Sequence, residues 1–329
     1  MMQDMVWGFL HYFAEPLLNR WPLSKLRDKA LKIAMEHVHY EDINSRYLSI
    51  GLVEKVLSML ACWVEDPNSE AHKRHLARVP DYLWVAEDGM KAQGVGTQTW
   101  DAAFAVQAIS ASGLIQEYAP TLTKAHDFLE ASQLRDNPSD NFKEMYRHIC
   151  KGAWPLEIAD QGLQVCDCTA EALKASLLLS KMSPGLVGEK IEAERLYNAV
   201  DVILSLQAIK YGNWGICFTY GTFFAMDALV ACGRSYRNSR PLRKACEFLL
   251  SKQLPDGGWG ESYLSCTNKA YTNIDGNKSN VVNTAWALLA LVKAGQVRTF
   301  FKCKFVQKCN KMGIEGLLMF HQMSPLSDS

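Results

Sequence analysis

Apolar residues return at every third or fourth position along most of this chain. Val53, Val56, Leu57, Leu60, Ala61 and Val64 form one such stripe, the spacing of a helix that buries one face. Ala102, Ala105, Val106 and Ile109 repeat it, followed by Leu196, Ala199, Val200 and Ile203. Ala225, Ala228, Leu229 and Cys232 continue the series, as do Leu242, Ala245, Cys246 and Leu249, and finally Ala285, Leu288, Leu289 and Val292. Sustained alternation at period two, the mark of a half-buried strand, is absent. The pattern predicts an all-α chain, and 329 residues suffice for one or two domains with sizeable cores.

One loop type recurs between these helices. From Lys244 a helix carrying Ala245, Phe248 and Leu249 runs to Gln253, and Gly257-Gly258-Trp259 closes the turn. A looser copy passes Ala199, Ile203 and Gln207 and ends in Gly212-Asn213-Trp214. A third runs through Phe128, Leu129 and Gln133 and reaches Gly152-Ala153-Trp154 only after a long insertion. Self-similarity of this kind predicts stacked helical hairpins, each too small to bury its own face. Within the unit the Gln amide satisfies orphan groups at a helix end, Gly permits a tight turn and Trp spans the gap to the next helix. Gln207, Gln253, Gly257 and Trp259 are therefore expected to be structural.

Composition removes several function classes. Lys and Arg number 35, as do Asp and Glu, so no basic surplus favours a nucleic-acid partner. Hydrophobic residues reach 48%, yet no run is long enough for a spanning helix, and the N-terminus lacks signal-peptide design. Ten cysteines without regular spacing read as reduced thiols. Cys166 and Cys168 have no CxxC or HxxxH companion, so no metal site is expected.

Asp167, just before the apolar run Leu173, Leu177 and Leu178, is the most informative polar residue. As residue grammar it is open between a helix N-cap and a buried acid. Asp167-Cys168-Thr169-Ala170-Glu171 resembles the aspartate motif of the eukaryotic oxidosqualene cyclases. So do the blocks Tyr146-Arg147-His148, Lys151 to Trp154, Asn213 to Thr222, Gly257 to Tyr263, Asp88 to Lys91 and Trp63 to Asn68. The resemblance runs from about Asp4 to Gln296, and its wording is nearest the plant enzymes of the β-amyrin and lupeol synthase type.

The resemblance implies an incomplete α/α barrel, or toroid, built from helical-hairpin repeats. Residues 1–83 are then part of a first toroid, 84–297 part of a catalytic one, and 298–329 an unmatched basic tail. It also implies acid-initiated cyclisation of (3S)-2,3-oxidosqualene to a triterpene alcohol, without cofactor or metal. Asp167 maps to the proton donor and Cys168 to its hydrogen-bond support, while Trp100, Trp214, Phe218 and Tyr220 map to rings that steady the cation. The substrate is a lipid, so the expected location is the cytosolic side of the endoplasmic reticulum or a lipid droplet. The run Trp7, Phe9, Leu10, Tyr12, Phe13, Leu17 and Leu18 is open between a membrane-interface helix over 5–18 and an uncovered core edge.

Four departures qualify this expectation. The match starts within the first toroid, and a whole repeat is joined over between Gln207 and Gly212, with it a second cysteine partner for the acid. The closing helices are replaced after Gln296, and Leu156 and Leu163 stand where the family has Phe and Trp. A non-catalytic remnant is thus the second reading. A protein prenyltransferase β-subunit-like toroid is the third, disfavoured by the missing zinc pattern.

Overall fold

The computed structural model describes residues 2–206 and 218–296; Gln207, Trp214 and the segment 298–329 lie outside the described residues. Among the described residues the chain is all-α as expected, apart from one small hairpin and an isolated bridge between Glu261 and Asn273. Two compact units divide it. The first comprises Met1–Gly96 with Pro138–Arg147 and Asp160–Gly162. The second takes Thr97–Asn137, His148–Ala159 and the chain from Leu163 onward.

The first unit holds α1 (Met2–Phe9), α2 (Glu15–Leu18), α3 (Ser24–Asn44), α4 (Leu52–Glu65) and α5 (Glu70–Ala77). Strands β1 (Leu83–Ala86) and β2 (Gly89–Ala92) pair antiparallel, Leu83 opposite Ala92. This hairpin was not foreseen; its signal is Asp88-Gly89, with Gly89 at φ +123°, a backbone setting that suits glycine at a tight turn. The stripe expected to be buried on α4 faces outward. Val53, Val56, Leu57, Leu60 and Val64 are exposed, and Lys55, Ser58 and Cys62 are buried instead. The inward groups are polar because α3 and α5 supply them with partners, so burial there follows pairing rather than hydrophobicity. Trp7, Phe9, Tyr12 and Phe13 are likewise exposed.

The second unit contains α6 (Gln98–Ser112), α7 (Ala119–Ser132), α8 (Cys166–Leu179), α9 (Pro184–Val187) and α10 (Ala193–Leu206). After the undescribed segment come α11 (Phe218–Ala231), α12 (Arg240–Ser251), α13 (Leu264–Asn268) and α14 (Val281–Lys293). Helix α8 packs against α6 and α11, and α11 against α14. Part of the core follows the predicted stripes: Val106, Ala199 and Ile203 lie in one cluster with Ala103 and Leu173, and Leu242, Cys246, Leu249 and Leu288 lie in another. On α6 the buried positions are Ala103 and Val106, and Ala105 of the stripe is exposed.

Two copies of the repeat share one hydrogen-bond scheme. Gln133 donates from Nε2 to the Gly152 carbonyl at 2.8 Å, and Gln253 to that of Gly257 at 2.9 Å. The amide thus holds the turn glycine, and both glycines adopt positive φ, +92° and +86°. The helix-end carbonyl falls to the tryptophan. Trp154 Nε1 donates to Leu129 O and Trp259 Nε1 to Leu249 O, both at 2.7 Å, filling acceptors in the last turns of α7 and α12. Each tryptophan backbone N–H then reaches a threonine in the first turn of the next long helix: Trp154 to Thr169 Oγ1 and Trp259 to Thr284 Oγ1, both at 3.0 Å. The insertion before Gly152 leaves this scheme intact. Because Trp259 is fully buried, Trp259→Ala should cost roughly 3–5 kcal/mol of stability, read as a lower urea midpoint. A midpoint within error of the parent would show that the ring is not part of the clasp.

Candidate active site

Asp167 sits in the first turn of α8, two residues before Thr169. The helix begins at Cys166 with Val165 as its cap residue and no side-chain cap bond, so Asp167 is not the N-cap. The residue is 7% exposed. Oδ1 accepts the Cys168 backbone N–H at 2.8 Å, and Oδ2 accepts the Tyr220 hydroxyl at 2.5 Å. The Cys168 thiol also hydrogen-bonds this carboxyl. All three donors are neutral. They hold the carboxyl in place and favour its charged form.

The carboxyl acts back on its neighbours. Burial first, and then Asp167, push the Tyr220 phenol and the Cys168 thiol well above their ordinary ranges. Cys166 is pushed up to about 12 by the same two causes. These groups stay protonated at neutral pH and serve as donors, not nucleophiles.

Tyr220 is placed by the start of α11. Glu261, fully buried, accepts the Phe218 N–H at 3.0 Å and the Thr219 N–H at 2.7 Å. Its charge thus sits on orphan amides at the positive end of the helix. The Tyr220 ring stands 4.7 Å from Phe224 and 5.1 Å from Trp286, edge-on to both. Trp100 lies 5.7 Å from Phe224 and 4.7 Å from Phe104. Trp100 and Tyr220 therefore belong to one aromatic group beside the acid. Phe218 does not join it, packing 6.2 Å from both Phe248 and Tyr271. Two residues apart on a helix, Phe218 and Tyr220 point to nearly opposite sides. Leu156 and Leu163 are half-buried.

Sequence reasoning missed Phe224, Trp286 and Glu261. Trp286 had a signal, since it is the only aromatic residue in α14. A charged network ties the same helices together. Lys174 holds both Glu171 oxygens at 2.9 Å and Asp227 at 2.5 Å, Lys293 reaches Asp227 at 2.6 Å, and Gln107 donates to Glu171 at 2.7 Å. Burial pushes the Asp227 carboxyl up, but Lys174 and Lys293 outweigh it and hold it below the ordinary value.

Comparison with known proteins gives the family. The Squalene-hopene cyclase C-terminal domain matches residues 157–308. The alpha-onocerin synthase LCD of Lycopodium clavatum is 36% identical across 90% of this chain and 49% of its own length. Lanosterol synthase of Mus musculus is 34% identical across 88% and 50%, and cycloartenol synthase of Dictyostelium discoideum 33% across 85% and 50%. The chain belongs to the oxidosqualene cyclase family. It spans about half the length of the curated relatives it matches. The alignment to the Lycopodium protein runs over 376 positions while taking in 90% of 329 residues, about 296. About 80 positions inside the matched span therefore occur in the relative alone.

Because Asp227 is depressed by its lysines, its contribution to stability is complete above the unfolded aspartate value near 3.9 and lost as acid titrates it below that. Asp227→Asn should cost about 3 kcal/mol at pH 7, since it leaves Lys174 buried with one partner fewer. The deficit should shrink as pH falls below about 4. Urea midpoints of both proteins from pH 7 to pH 3 check this; a deficit independent of pH would contradict it.

Proposed function

We propose that this chain carries the acid of a triterpene cyclase, an intramolecular isomerase acting on oxidosqualene. The observation that supports the reading most is the buried Asp167 carboxyl with Tyr220 at 2.5 Å and Trp100, Phe224 and Trp286 grouped beside it. Asp167 gives its proton to the epoxide oxygen, and the ring C–O bond opens to a hydroxyl and a carbocation. Ring faces stabilise the cation by ~2 kcal/mol or more where water is excluded. Loss of one proton at the end returns a neutral product isomeric with the substrate. Trp214 and Phe218 are assigned to cation stabilisation by the family resemblance, and Phe218 would act from its separate aromatic group.

The two compact units are read as portions of two α/α toroids. No helix among the described residues is long and apolar enough to cross a membrane. The exposed ring face of α1 and its continuation over residues 5–18 is read as lying in a bilayer interface, on the cytosolic side of the endoplasmic reticulum or a lipid droplet.

A second reading has its own support: about 80 interior positions of the Lycopodium relative have no counterpart here. We place them at the join between Gln207 and Gly212. A toroid missing one interior hairpin leaves two faces mismatched and its cavity wet, so the chain by itself is read as non-cyclising. Expression in a host that accumulates oxidosqualene separates the readings. The chain alone should add no triterpene alcohol to the neutral lipids and should sediment with membranes. A full-length form, with the interior segment and the other half taken from the Lycopodium relative, should add one, and Asp167→Asn should abolish it because an amide cannot supply the proton. Turnover of that variant within a few-fold of its parent would sink the acid assignment. A new product from the chain alone would sink the second reading.

A further inference from the structure

A second cluster of chemically capable side chains lies within the first compact unit. His39 and Asp42 stand three residues apart on α3 and so share a face; Cys62 meets them from α4. His39 Nδ1 lies 3.9 Å from Asp42 Oδ2, and Cys62 Sγ lies 3.6 Å from the same oxygen. The three atoms all fall within 4.8 Å of one another. A tetrahedral ion with bonds of about 2.0–2.3 Å spaces its ligand atoms about 3.3–3.8 Å apart. Two edges of the triangle are already at or near that spacing.

The surroundings fix which atoms face the centre. Glu65 Oε2 is 2.7 Å from His39 Nε2, so the proton belongs on Nε2 and the lone pair on Nδ1. Histidine ligands are commonly backed by a carboxylate in this manner. On the other side Lys55 Nζ lies 2.9 Å from His75 Nδ1. An ammonium can only donate, so His75 carries its proton on Nε2, which sits 3.0 Å from Asp42 Oδ1. His75 Nε2 is within ion-pair distance of Oδ1 without hydrogen-bond geometry, and Oδ2 is the oxygen that lies toward Cys62 and His39. Asp42, Cys62 and His75 are buried while the His39 ring is 36% exposed, which gives an ion a way in.

The geometry points to a site for a zinc-like divalent cation, held by His39 Nδ1, Asp42 Oδ2 and Cys62 Sγ with water as the fourth ligand. On binding, the Cys62 S–H bond breaks, its proton leaves to solvent and the thiolate takes the ion. Charge then balances, with Lys55 offsetting Asp42 and the ion offsetting the thiolate and Glu65. A borderline-soft ion suits this mixed nitrogen, oxygen and sulfur set, whereas magnesium or calcium would want oxygens alone. The site joins α3 to α4 and is independent of the cyclase reading.

The test is titration of the purified full chain, stripped of metal, with Co²⁺ as a spectroscopic probe and Zn²⁺ as competitor. The expected result is one equivalent bound, with thiolate-to-cobalt charge-transfer absorption and tetrahedral visible bands that zinc displaces. Cys62→Ser should abolish the charge-transfer band, whereas Cys246→Ser, a buried thiol on α12, should leave it. Glu65→Gln, at the surface, should keep the bands but weaken affinity about 10–100-fold; it decides the matter should Cys62→Ser misfold by circular dichroism. Absence of a thiolate band in the parent, or equal cobalt affinity in parent and Glu65→Gln, would overturn the site and leave a hydrogen-bonded charge network only.

Discussion

Each tryptophan in the two described repeats closes a three-point clasp. Its indole N–H fills a carbonyl at the end of one helix, its backbone N–H and C=O bind a threonine hydroxyl at the start of the next, and its ring is fully buried between them. Helix ends carry the backbone groups that a fold most needs to satisfy, and here one residue satisfies them for two helices at once. The threonine is the coupling point. Thr169 fixes the first turn of α8, and Asp167 lies in that same turn.

The two copies diverge at the position of the proposed acid. In the copy around Trp259, the helix that receives the clasp is capped by Asn280, which accepts from Val282 and Asn283, and the position two before the threonine is Val282, exposed to solvent. In the copy around Trp154, the cap position is Val165, which provides no side-chain acceptor, and the matching position is Asp167. The scaffold is therefore common to both, and the acid is a local substitution on it. Glu261 belongs to the same economy. It follows Trp259 by two residues and caps α11, which presents Tyr220 to Asp167. One repeat thus supplies the acid, and the other orients its hydrogen-bond donor.

Much of this was legible from spacing. The stripes of α10, α11 and α12 and the two described Gln-to-Trp units are local patterns that their burial follows, whereas the buried faces of α6 and α14 are shifted from the predicted stripes toward Ala103 and toward Ala287 and Leu291. What sequence could not show depends on tertiary partners. The α4 stripe faces outward because its opposite face finds polar partners in α3 and α5. Phe218 and Tyr220 sit in one motif, but helical geometry sends them to different aromatic groups. Trp286 and Glu261 reach the site from a distant repeat. His39, Asp42 and Cys62 escaped a search for metal ligands because such searches look for close pairs along the chain, and here the third ligand comes from another helix.

The central claim is that the tryptophan clasp sets the position of the acid. Hydrogen–deuterium exchange of backbone amides in the parent chain and in Thr169→Val measures this most directly, because the variant keeps side-chain volume and loses the hydroxyl. The account predicts faster exchange at the first turn of α8, residues 166–170, with the equivalent turn of α14, residues 281–285, unchanged. Unchanged protection at 166–170, or equal loosening of both turns, would contradict it.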